Sequence, residues 1–421
     1  MKKILTITLT VLSLPLLFSL QGCLKDTCRS TYKIYTPVYK KLSDIRAGMR
    51  SEAPKPLENT GKIYVYGNYI FMNEVQKGIH VIDNTNPASP KNISFINIPG
   101  NVDIAVRGNH LYADCFSDIV VFDISNPVQV TVKKFMDNVI PEFGYFWGNH
   151  TSADSVEVIV DYNERDTTVD CETYQSWINC RSCIRLTSGG DVFTANAPPA
   201  QQQGKGGSMA RLSIVDDYMY GVSTYKLYAF NLSNAADPQL VNSKIISGGI
   251  ETIYPFQDKL FIGSTSGMFI YDITNPSDPV QVSRFDHASS CDPVISDGQT
   301  AYVTLRSGTE CQGFTNQLDV LNISNLSNPV MIKSYQMVNP HGLSKEGNQL
   351  FICDGKAGFK IYNAANPSEI QLVKQFEGLE TYDVITLGHI AIVVAKDGLY
   401  QYDFSNASNI HLISKVSIDR K

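Results

Sequence analysis

Short apolar runs followed by polar turns recur along most of this chain. Seven runs end in Asp or Asn and lead into a turn rich in Ser, Thr, Asn and Pro. The run-ending residues are Asp83, Asp123, Asn231, Asp272, Asn322, Asn363 and Asp403. Five of the six spacings are 40, 41, 50, 41 and 40 residues, and the remaining one is 108. A period near forty made of short strands is typical of a β-propeller in which each copy forms one blade.

Within a copy the apolar and polar positions resolve into four strands. In the second copy they cover residues 103–106, 110–113, 119–122 and 130–135, all rich in β-branched or aromatic side chains. Gly108-Asn109 joins the first two runs, and such a pair supplies the turn conformation of a tight hairpin. Each copy therefore predicts a four-stranded antiparallel sheet whose two apolar faces are covered by neighbouring copies.

The copies predict an all-β, seven-bladed propeller over residues 61–417, with an insertion at residues 140–206 that accounts for the long spacing. Residues 208–220 align with residues 101–112, which places the start of the third blade after the insertion. The alternative is eight blades, with residues 158–161 (Val-Ile-Val-Asp) as a degenerate third strand. No Asn-Pro turn follows Asp161, so seven blades are favoured.

The first 22 residues have the pattern of an export signal. Lys2 and Lys3 precede an apolar stretch that ends at Leu20 and is too short and wrongly flanked for a stable membrane span. Residues 20–23, Leu-Gln-Gly-Cys, resemble the lipobox of bacterial lipoproteins, in which the cysteine thiol receives the lipid. We therefore expect Cys23 to be lipidated and to hold the protein on a membrane through its acyl chains.

Residues 23–60 are polar and predict a tether between the lipid and the propeller, with one short helix across residues 42–50. Leu24-Lys25-Asp26 resembles a degenerate form of the signal that sends some Bacteroidetes lipoproteins to the cell surface. The predicted location is the outer membrane, on either its periplasmic face or the cell surface.

Charge and cysteine content limit the partners and the compartment. Removal of the signal changes the formal charge from −6 to −8, and an acidic surface argues against nucleic acid as the partner.

Nine cysteines are present, which leaves eight after lipidation of Cys23, an even number compatible with disulfides in an exported protein. Cys291 and Cys311 form the preferred pair because they bracket a strand in the longest regular repeat. A second group, Cys171, Cys180 and Cys183, predicts a disulfide-rich insertion.

The third strand and its turn resemble the LVIVD-repeat family, which is named for Leu-Val-Ile-Val-Asp followed by Ile-Ser-Asn-Pro. Residues 119–127 (Ile-Val-Val-Phe-Asp-Ile-Ser-Asn-Pro) and 268–276 (Met-Phe-Ile-Tyr-Asp-Ile-Thr-Asn-Pro) match this pattern best. The resemblance implies a secreted or lipid-anchored bacterial propeller. It brings no catalytic residues.

The mouth of the central channel is the first candidate site. Alignment of the copies places four carboxylates and one imidazole at or within one residue of the start of the innermost strands: Asp103, Glu251, Asp292, His341 and Asp383. Such a ring could bind a ligand, hold Ca²⁺ or perform acid–base chemistry. The alternative is structural, because polar groups at these positions also solvate a channel and tie blades together.

The insertion is the second candidate. It contains Trp147 and Trp177, three cysteines and a run at residues 198–207 that predicts a flexible segment. Loops on a rigid ring often form the binding surface. The same tryptophans could instead fill a small core held by disulfides.

The sequence favours a binding function over an enzymatic one. It lacks a nucleophile elbow, a phosphate loop, an H-E-x-x-H helix and a paired-cysteine metal site. We therefore predict a cell-envelope binding module for a glycan, peptide or protein, with no obligatory cofactor. The alternative is a polysaccharide hydrolase or lyase that uses His341 and an acidic neighbour.

Overall fold

Seven antiparallel sheets of at least four strands each make up a β-propeller in the computed structural model. The structure describes residues 29–143, 146–147, 155–170, 205–287, 293–307 and 315–420. In every blade the strands lie in sequence order from the innermost to the outermost. The predicted all-β, seven-bladed fold is confirmed. Among the described residues, no helix has the length and apolar character needed to cross a membrane.

The first three blades contain twelve of the strands. Blade 1 comprises β3 (Thr60–Tyr66), β4 (Tyr69–Glu74), β5 (Gly78–Asp83) and β6 (Lys91–Asn97). Blade 2 comprises β7 (Ile104–Arg107), β8 (His110–Cys115), β9 (Asp118–Asp123) and β10 (Thr131–Met136). Blade 3 comprises β14 (Leu212–Val215), β15 (Tyr218–Val222), β16 (Lys226–Asn231) and β17 (Gln239–Ile245).

The remaining four blades follow one another without a long interruption. Blade 4 comprises β18 (Ile250–Phe256), β19 (Lys259–Ser264), β20 (Gly267–Asp272) and β21 (Val280–Asp286). Blade 5 comprises β22 (Val294–Ser296), β23 (Thr300–Leu305), β24 (Gln317–Asn322) and β25 (Val330–Gln336). Blade 6 comprises β26 (Leu343–Glu346), β27 (Gln349–Cys353), β28 (Phe359–Asn363) and β29 (Gln371–Phe376). Blade 7 comprises β30 (Thr381–Leu387), β31 (Ile390–Ala395), β32 (Gly398–Asp403) and β33 (His411–Ser417).

The repeated Asp or Asn ends the third strand of each blade and begins an Asx turn. Its side-chain oxygen accepts a hydrogen bond from the backbone N–H two residues later, as in Asp83 with Thr85 at 2.9 Å and Asn322 with Ser324 at 2.9 Å. Only an acceptor oxygen is needed, which explains why Asp and Asn replace one another in the seven copies.

The outer strand of one blade binds the polar turn of the next. Ser94 donates to the carbonyl of Pro127 at 2.9 Å, and Tyr335 donates to that of Pro367 at 3.2 Å. Ser414 of blade 7 donates to the carbonyl of Pro87 in blade 1 at 2.6 Å. The repeated Asn-Pro turn therefore also joins the blades.

The ring closes between blades 1 and 7 without exchange of a strand, since both sheets take their four blade strands from one continuous segment. The side chains of Asn84 and Gln401 hydrogen bond to each other, at 2.7 and 3.0 Å. After β33 the chain returns to blade 1, where the Asp419 N–H donates to the carbonyl of Leu57 at 2.8 Å. An apolar cluster that includes Ile63 and Ile392 fills the space between the two sheets.

The segment before blade 1 packs on the ring from residue 42 onward. Helix α1 (Leu42–Ala47) buries Leu42 and Ile45, and Arg46 forms an ion pair with Asp118 of blade 2 at 2.5 Å. Strand β2 (Ser51–Glu52) pairs with the outer strand β6 of blade 1. The predicted short helix is present, and residues 42–60 of the predicted tether pack on blades 1 and 2.

A separate three-stranded sheet has the order β1 (Arg29–Lys41), β12 (Glu157–Asp170) and β11 (Phe146–Trp147). Residues 158–161 lie in β12 and pair with β11 or β1 rather than with a blade strand. The eight-blade alternative is therefore wrong, because these residues belong to a sheet outside the ring.

Residues 29–38 and 161–170 belong to a compact unit distinct from the rest of the chain. Within it, the hydroxyls of Thr31 and Thr168 lie 2.9 Å apart, and the rings of Tyr35 and Tyr162 meet edge to face at 6.4 Å. Cross-strand pairs of this kind hold two long strands in register.

Two of the eight cysteines counted for disulfides are buried free thiols, Cys115 and Cys353. Cys115 donates to the carbonyl of Pro99 at 3.2 Å, and burial raises the pKa of both thiols well above the usual value. At most six cysteines therefore remain for disulfides. The cysteines in the predicted disulfide and lipidation sites lie outside the described residues: Cys23, Cys171, Cys180, Cys183, Cys291 and Cys311.

Candidate functional site

The inner strands of all seven blades begin on one face of the propeller, which we call the upper face. Near the start of each inner strand, a core residue pairs with the second strand of the same blade. The residue directly before it occupies an equivalent position in all seven blades. The residues at this position are Lys62, Asp103, Arg211, Thr252, Pro293, Gly342 and Asp383. Sequence reasoning chose only the acidic members and missed the two cations, although the alignment of the copies contained them.

Asp103 holds the start of its own strand and reaches two other blades. Its carboxylate accepts hydrogen bonds from Lys62 Nζ at 2.7 Å and from the Ile104 N–H at 2.8 Å. It also accepts from the backbone N–H groups of Arg211 and Leu212. The side chains of Asp103 and Lys62 are only 2% and 3% exposed. This carboxylate is therefore fully used inside the protein.

Residues 205–211, which we call the channel segment, lie against the inner strands. Lys205 and Gly206 form strand β13, which pairs with Val65 and Tyr64 of β3. Lys205 Nζ donates to the carbonyl of Thr386 in blade 7 at 2.6 Å, and the carbonyl of Ala210 accepts from Ile253 of blade 4 at 2.9 Å. The segment thus contacts the inner strands of blades 1, 4 and 7 at the channel mouth.

The channel segment also corrects the interpretation of the glycine-rich run. Residues 198–207 were predicted to be flexible, yet residues 205–207 are held by backbone pairing with blade 1. A Cβ on Gly207 would lie 1.8 Å from Asp383 Oδ2. Glycine is needed here because it lets the backbone approach a buried carboxylate, and local composition does not distinguish this role from flexibility.

Asp383 receives the channel segment on the side of blade 7. Its Oδ1 accepts from the Ser208 N–H at 3.2 Å and from the Val384 N–H at 2.9 Å, and no group among the described residues donates to its Oδ2. Burial raises the pKa of Asp383 to about 7. Burial also lowers the pKa of the Lys62 ammonium, against the attraction of Asp103. The upper end of the channel therefore holds a buried, charged cluster that the backbone of the channel segment contacts.

Second-strand carboxylates hold the connections into the inner strands. Asp114 in blade 2 accepts from the Val102 and Asp103 N–H groups at 2.7 and 2.9 Å. Asp354 in blade 6 accepts from the Val338 and Asn339 N–H groups at 3.0 and 2.8 Å. These acids have a structural task that sequence reasoning did not find, because each comes from the end of a strand and binds a connector of the same blade.

The other predicted site residues are not all brought together. His341 is 6% exposed, and its backbone N–H donates to the Cys353 carbonyl at 2.7 Å. Its ring Nδ1 has no hydrogen-bond partner in the described part of the chain. Burial, with a contribution from Arg306, lowers the pKa of His341 well below the usual value. Glu251 is half-buried in β18, and Asp292 lies outside the described residues. In the described part of the chain, no three His, Cys, Asp or Glu side chains are grouped to hold a metal.

Replacement of Asp383 by Asn is expected to remove a pH dependence of stability. A folded-state pKa near 7, above the ordinary value of 3.8, means that the group stabilises the fold at low pH and that this contribution disappears as pH rises through 7. We expect the variant to gain about 2–3 kcal/mol of stability relative to the wild type between pH 5 and pH 8. Thermal unfolding across that range measures the gain.

Asp272→Asn is the matched control, since blades 3, 5 and 6 have Asn at the equivalent position. The hydroxyl and N–H of Thr274 lower the pKa of Asp272 to about 2, so its titration lies outside the tested range. Parallel pH profiles for the wild type and Asp383→Asn would show that Asp383 is ionised throughout.

Comparison with known proteins bears on the fold and on the repeat. The profile described as the LVIVD repeat matches residues 59–96, 100–137, 260–287 and 313–337. These segments fall in blades 1, 2, 4 and 5. No curated protein sequence matches the chain.

Solved structures resemble the chain at low sequence identity. A protein from Lactobacillus plantarum is 10% identical, with a TM-score of 0.52 over 86% of this chain and 97% of that one. A periplasmic gluconolactonase from Pseudomonas aeruginosa is 11% identical, with a TM-score of 0.49 over 85% of this chain and 96% of that one. At 10% identity, the likeness to the Lactobacillus plantarum protein shows the fold alone. The chain is therefore a seven-bladed β-propeller that carries LVIVD repeats, and the resemblance found in its sequence is confirmed.

Proposed function

We propose that the protein is a cell-envelope interaction module that binds a protein, peptide or glycan through its upper face. The observation that carries the proposal is the location of the segments added to the seven blades. Among the described residues they converge on the upper face and its rim, whereas the opposite face carries the short hairpin and Asx turns. Additions to one face of a regular scaffold are where binding surfaces are usually built.

Four additions support this location. Arg46 of α1 contacts Asp118 at the start of the third strand of blade 2, and β2 pairs with the last residues of the outer strand β6. Glu142, in the 3₁₀ helix Pro141–Phe143, accepts from Tyr228 of blade 3 at 2.5 Å. The tail after β33 returns along the same side, with the Ile418 N–H bonded to the Asp397 carbonyl at 3.1 Å.

The channel segment moves the proposed surface away from the predicted ring. Asp103 and Asp383 are 2% and 1% exposed, and their oxygens face the chain's own backbone. A partner would therefore meet the loops of the upper face rather than these two carboxylates. The ligand-binding roles of Glu251, Asp292 and His341 stay predictions.

The alternative of a hydrolase or lyase needs an acid–base pair that a substrate can reach. Its candidates, His341 and Asp383, are buried, and an oligosaccharide would have to displace the channel segment to contact both. Binding without chemistry is the function that the geometry supports better.

Position-specific photocrosslinking in the intact envelope tests the proposal. A photoreactive amino acid replaces Tyr225 or Lys396, which are exposed on the upper face by 39% for Tyr225 and by 57% for the Lys396 side chain. The matched controls replace Asn86 and Asn366, which are exposed in the turns of the opposite face. We expect a discrete adduct from at least one upper-face position and none from the controls.

Adducts that form equally from both faces, or from the controls only, would contradict the proposal.

A separate variant tests the anchor that we propose at Cys23. A Cys23→Ser variant is expected to lose fatty-acid labelling and to leave the membrane fraction, since the acyl chains supply the attachment. Retention of the label by this variant would refute anchoring at Cys23.

A further inference from the structure

A pocket of about 140 Å³ opens on the upper face of blade 1, apart from the channel. Its lining brings together the chain before blade 1 and strands β4 to β6. Lys55 and Glu58 come from the first of these, Glu74 and Lys77 from the end of β4 and the following turn, His80 from β5 and Phe95 from β6.

A buried carboxylate and imidazole form the deep side of the pocket. Glu74 and His80 are 3% and 0% exposed, and His80 Nε2 lies 3.2 Å from Glu74 Oε2. Glu74 also accepts from the N–H groups of Glu58 and Asn59 at 3.2 and 2.7 Å. Burial raises the pKa of Glu74, but the bonds from His80 and the two N–H groups outweigh it and keep the pKa below the usual value. The group is a fixed anion at neutral pH.

The other blades show that the histidine is not required by the fold. Asp114 of blade 2 holds its connector as Glu74 does, yet the position equivalent to His80 is Val120. The same position is Tyr228, Phe269 and Tyr400 in blades 3, 4 and 7. Blades 5 and 6 have the charged residues Asp319 and Lys360 at this position, and Lys360 Nζ donates to Asp354 Oδ2 at 2.6 Å. Blade 1 thus places an imidazole beside its carboxylate where four other blades place apolar or aromatic bulk.

Opposite charges line the pocket in equal number. Lys55 Nζ lies 2.7 Å from Glu52 Oε2, outside the pocket lining, and 4.1 Å from the centre of the Phe95 ring. Lys77 Nζ lies 3.7 Å from Glu58 Oε2 and 3.9 Å from Glu74 Oε1, beyond hydrogen-bond distance in both cases. The ammonium of Lys77, with its side chain 59% exposed, keeps donor capacity for a ligand.

We propose that this pocket binds a small zwitterion, a free α-amino acid of the size of glycine or alanine. The two ammonium groups and two carboxylates of the lining balance in charge, so the pocket does not favour a ligand with a single charge. They offer one positive and one negative contact to a ligand that carries both charges. The ligand carboxylate pairs with Lys77, and its ammonium faces Glu58. The pocket volume of about 140 Å³ admits such a molecule.

Titration of the full chain with glycine, followed by ligand-observed NMR and calorimetry, tests the proposal. Acetate and methylammonium serve as probes with a single charge. We expect saturable glycine binding that Lys77→Met and Glu58→Gln each weaken at least about tenfold. His80→Phe is expected to abolish binding, because it introduces the larger ring that blade 4 has at this position as Phe269. Lys133→Met is the matched control, because the side chain of this lysine is 40% exposed in an ion pair with Asp123 on blade 2; we expect it to leave the affinity unchanged.

Two results would overturn the proposal. One is the absence of saturable glycine or alanine binding up to concentrations of about 10 mM, well above a millimolar dissociation constant. The other is binding of acetate or methylammonium as tight as that of glycine, which would show that a single charge is recognised. Because the photocrosslinking experiment uses other positions, the proposed function can fail while this site binds, and the reverse also holds.

Discussion

Replacement of Asp103 by Ala is expected to lower the free energy of unfolding by about 3–5 kcal/mol. The change removes the partner of the Lys62 ammonium, whose side chain is 3% exposed. It also removes the acceptor for the N–H groups at the start of blade 3. A buried cation without its partner is costly, since no water replaces the lost carboxylate. Urea-induced unfolding measures the loss.

The double variant Lys62→Met/Asp103→Leu separates the cost of an orphaned charge from that of the pair. Apolar replacements of similar size leave no charge behind, so we expect it to be more stable than Asp103→Ala. Asp286→Ala is the exposed control: this carboxylate pairs with Arg284 but is 72% exposed, and we expect a change within about 1 kcal/mol. Equal losses for Asp103→Ala and Asp286→Ala would show that the channel cluster is hydrated.

Replacement of Gly207 by Ala is expected to destabilise the protein by about 2–3 kcal/mol. The new Cβ would lie 1.8 Å from Asp383 Oδ2, so either the carboxylate or the channel segment must move. Movement of the segment also weakens the Ser208 bonds to Asp383 and Leu343. Thermal unfolding measures the loss, and faster hydrogen exchange at the Ser208 amide locates it.

Gly248→Ala is the matched control, since a Cβ there meets nothing within 4 Å. Asp383→Ala supplies the second test, because it removes the oxygen that the new Cβ meets. Gly207→Ala is expected to cost less in that background, with a coupling of about 1 kcal/mol or more. If Gly207→Ala is as harmless as Gly248→Ala, the channel segment is not packed against Asp383.

The channel segment lies at the channel mouth, where the sequence predicted a ligand, and its residues 205–207 were predicted to be part of a flexible run. Pairing of β13 with β3 and the bonds to blades 2, 4, 6 and 7 make it a central connection of the ring. Because the blades exchange no strand, these contacts add to the closure between blades 1 and 7. The surface available to a partner is consequently the set of loops around the channel.

The sequence determined the parts of the fold that depend on local pattern. Alternating apolar positions, Gly-Asn hairpins and Asx turns act within one copy, so the four strands, the copy length and the seven-blade count could be predicted. The short helix near residue 42 was predicted on the same basis. The pattern Val-Ile-Val-Asp at residues 158–161 misled as an alternative blade, because a strand sequence does not specify which sheet the strand joins.

Only the tertiary structure decided what the charged residues do. Lys62, Asp103, Arg211 and Asp383 come from four blades, and their pairing depends on which backbone fills the channel. The sequence placed Asp103 and Asp383 on the inner strands but left their partners open, because Ser208 contacts Asp383 across 175 residues. Likewise, the sequence shows His80 as one polar residue in a strand, and only the structure shows that Glu74 and the chain before blade 1 form a pocket around it. Local periodicity sets the blades, whereas desolvation and long-range contacts set the site.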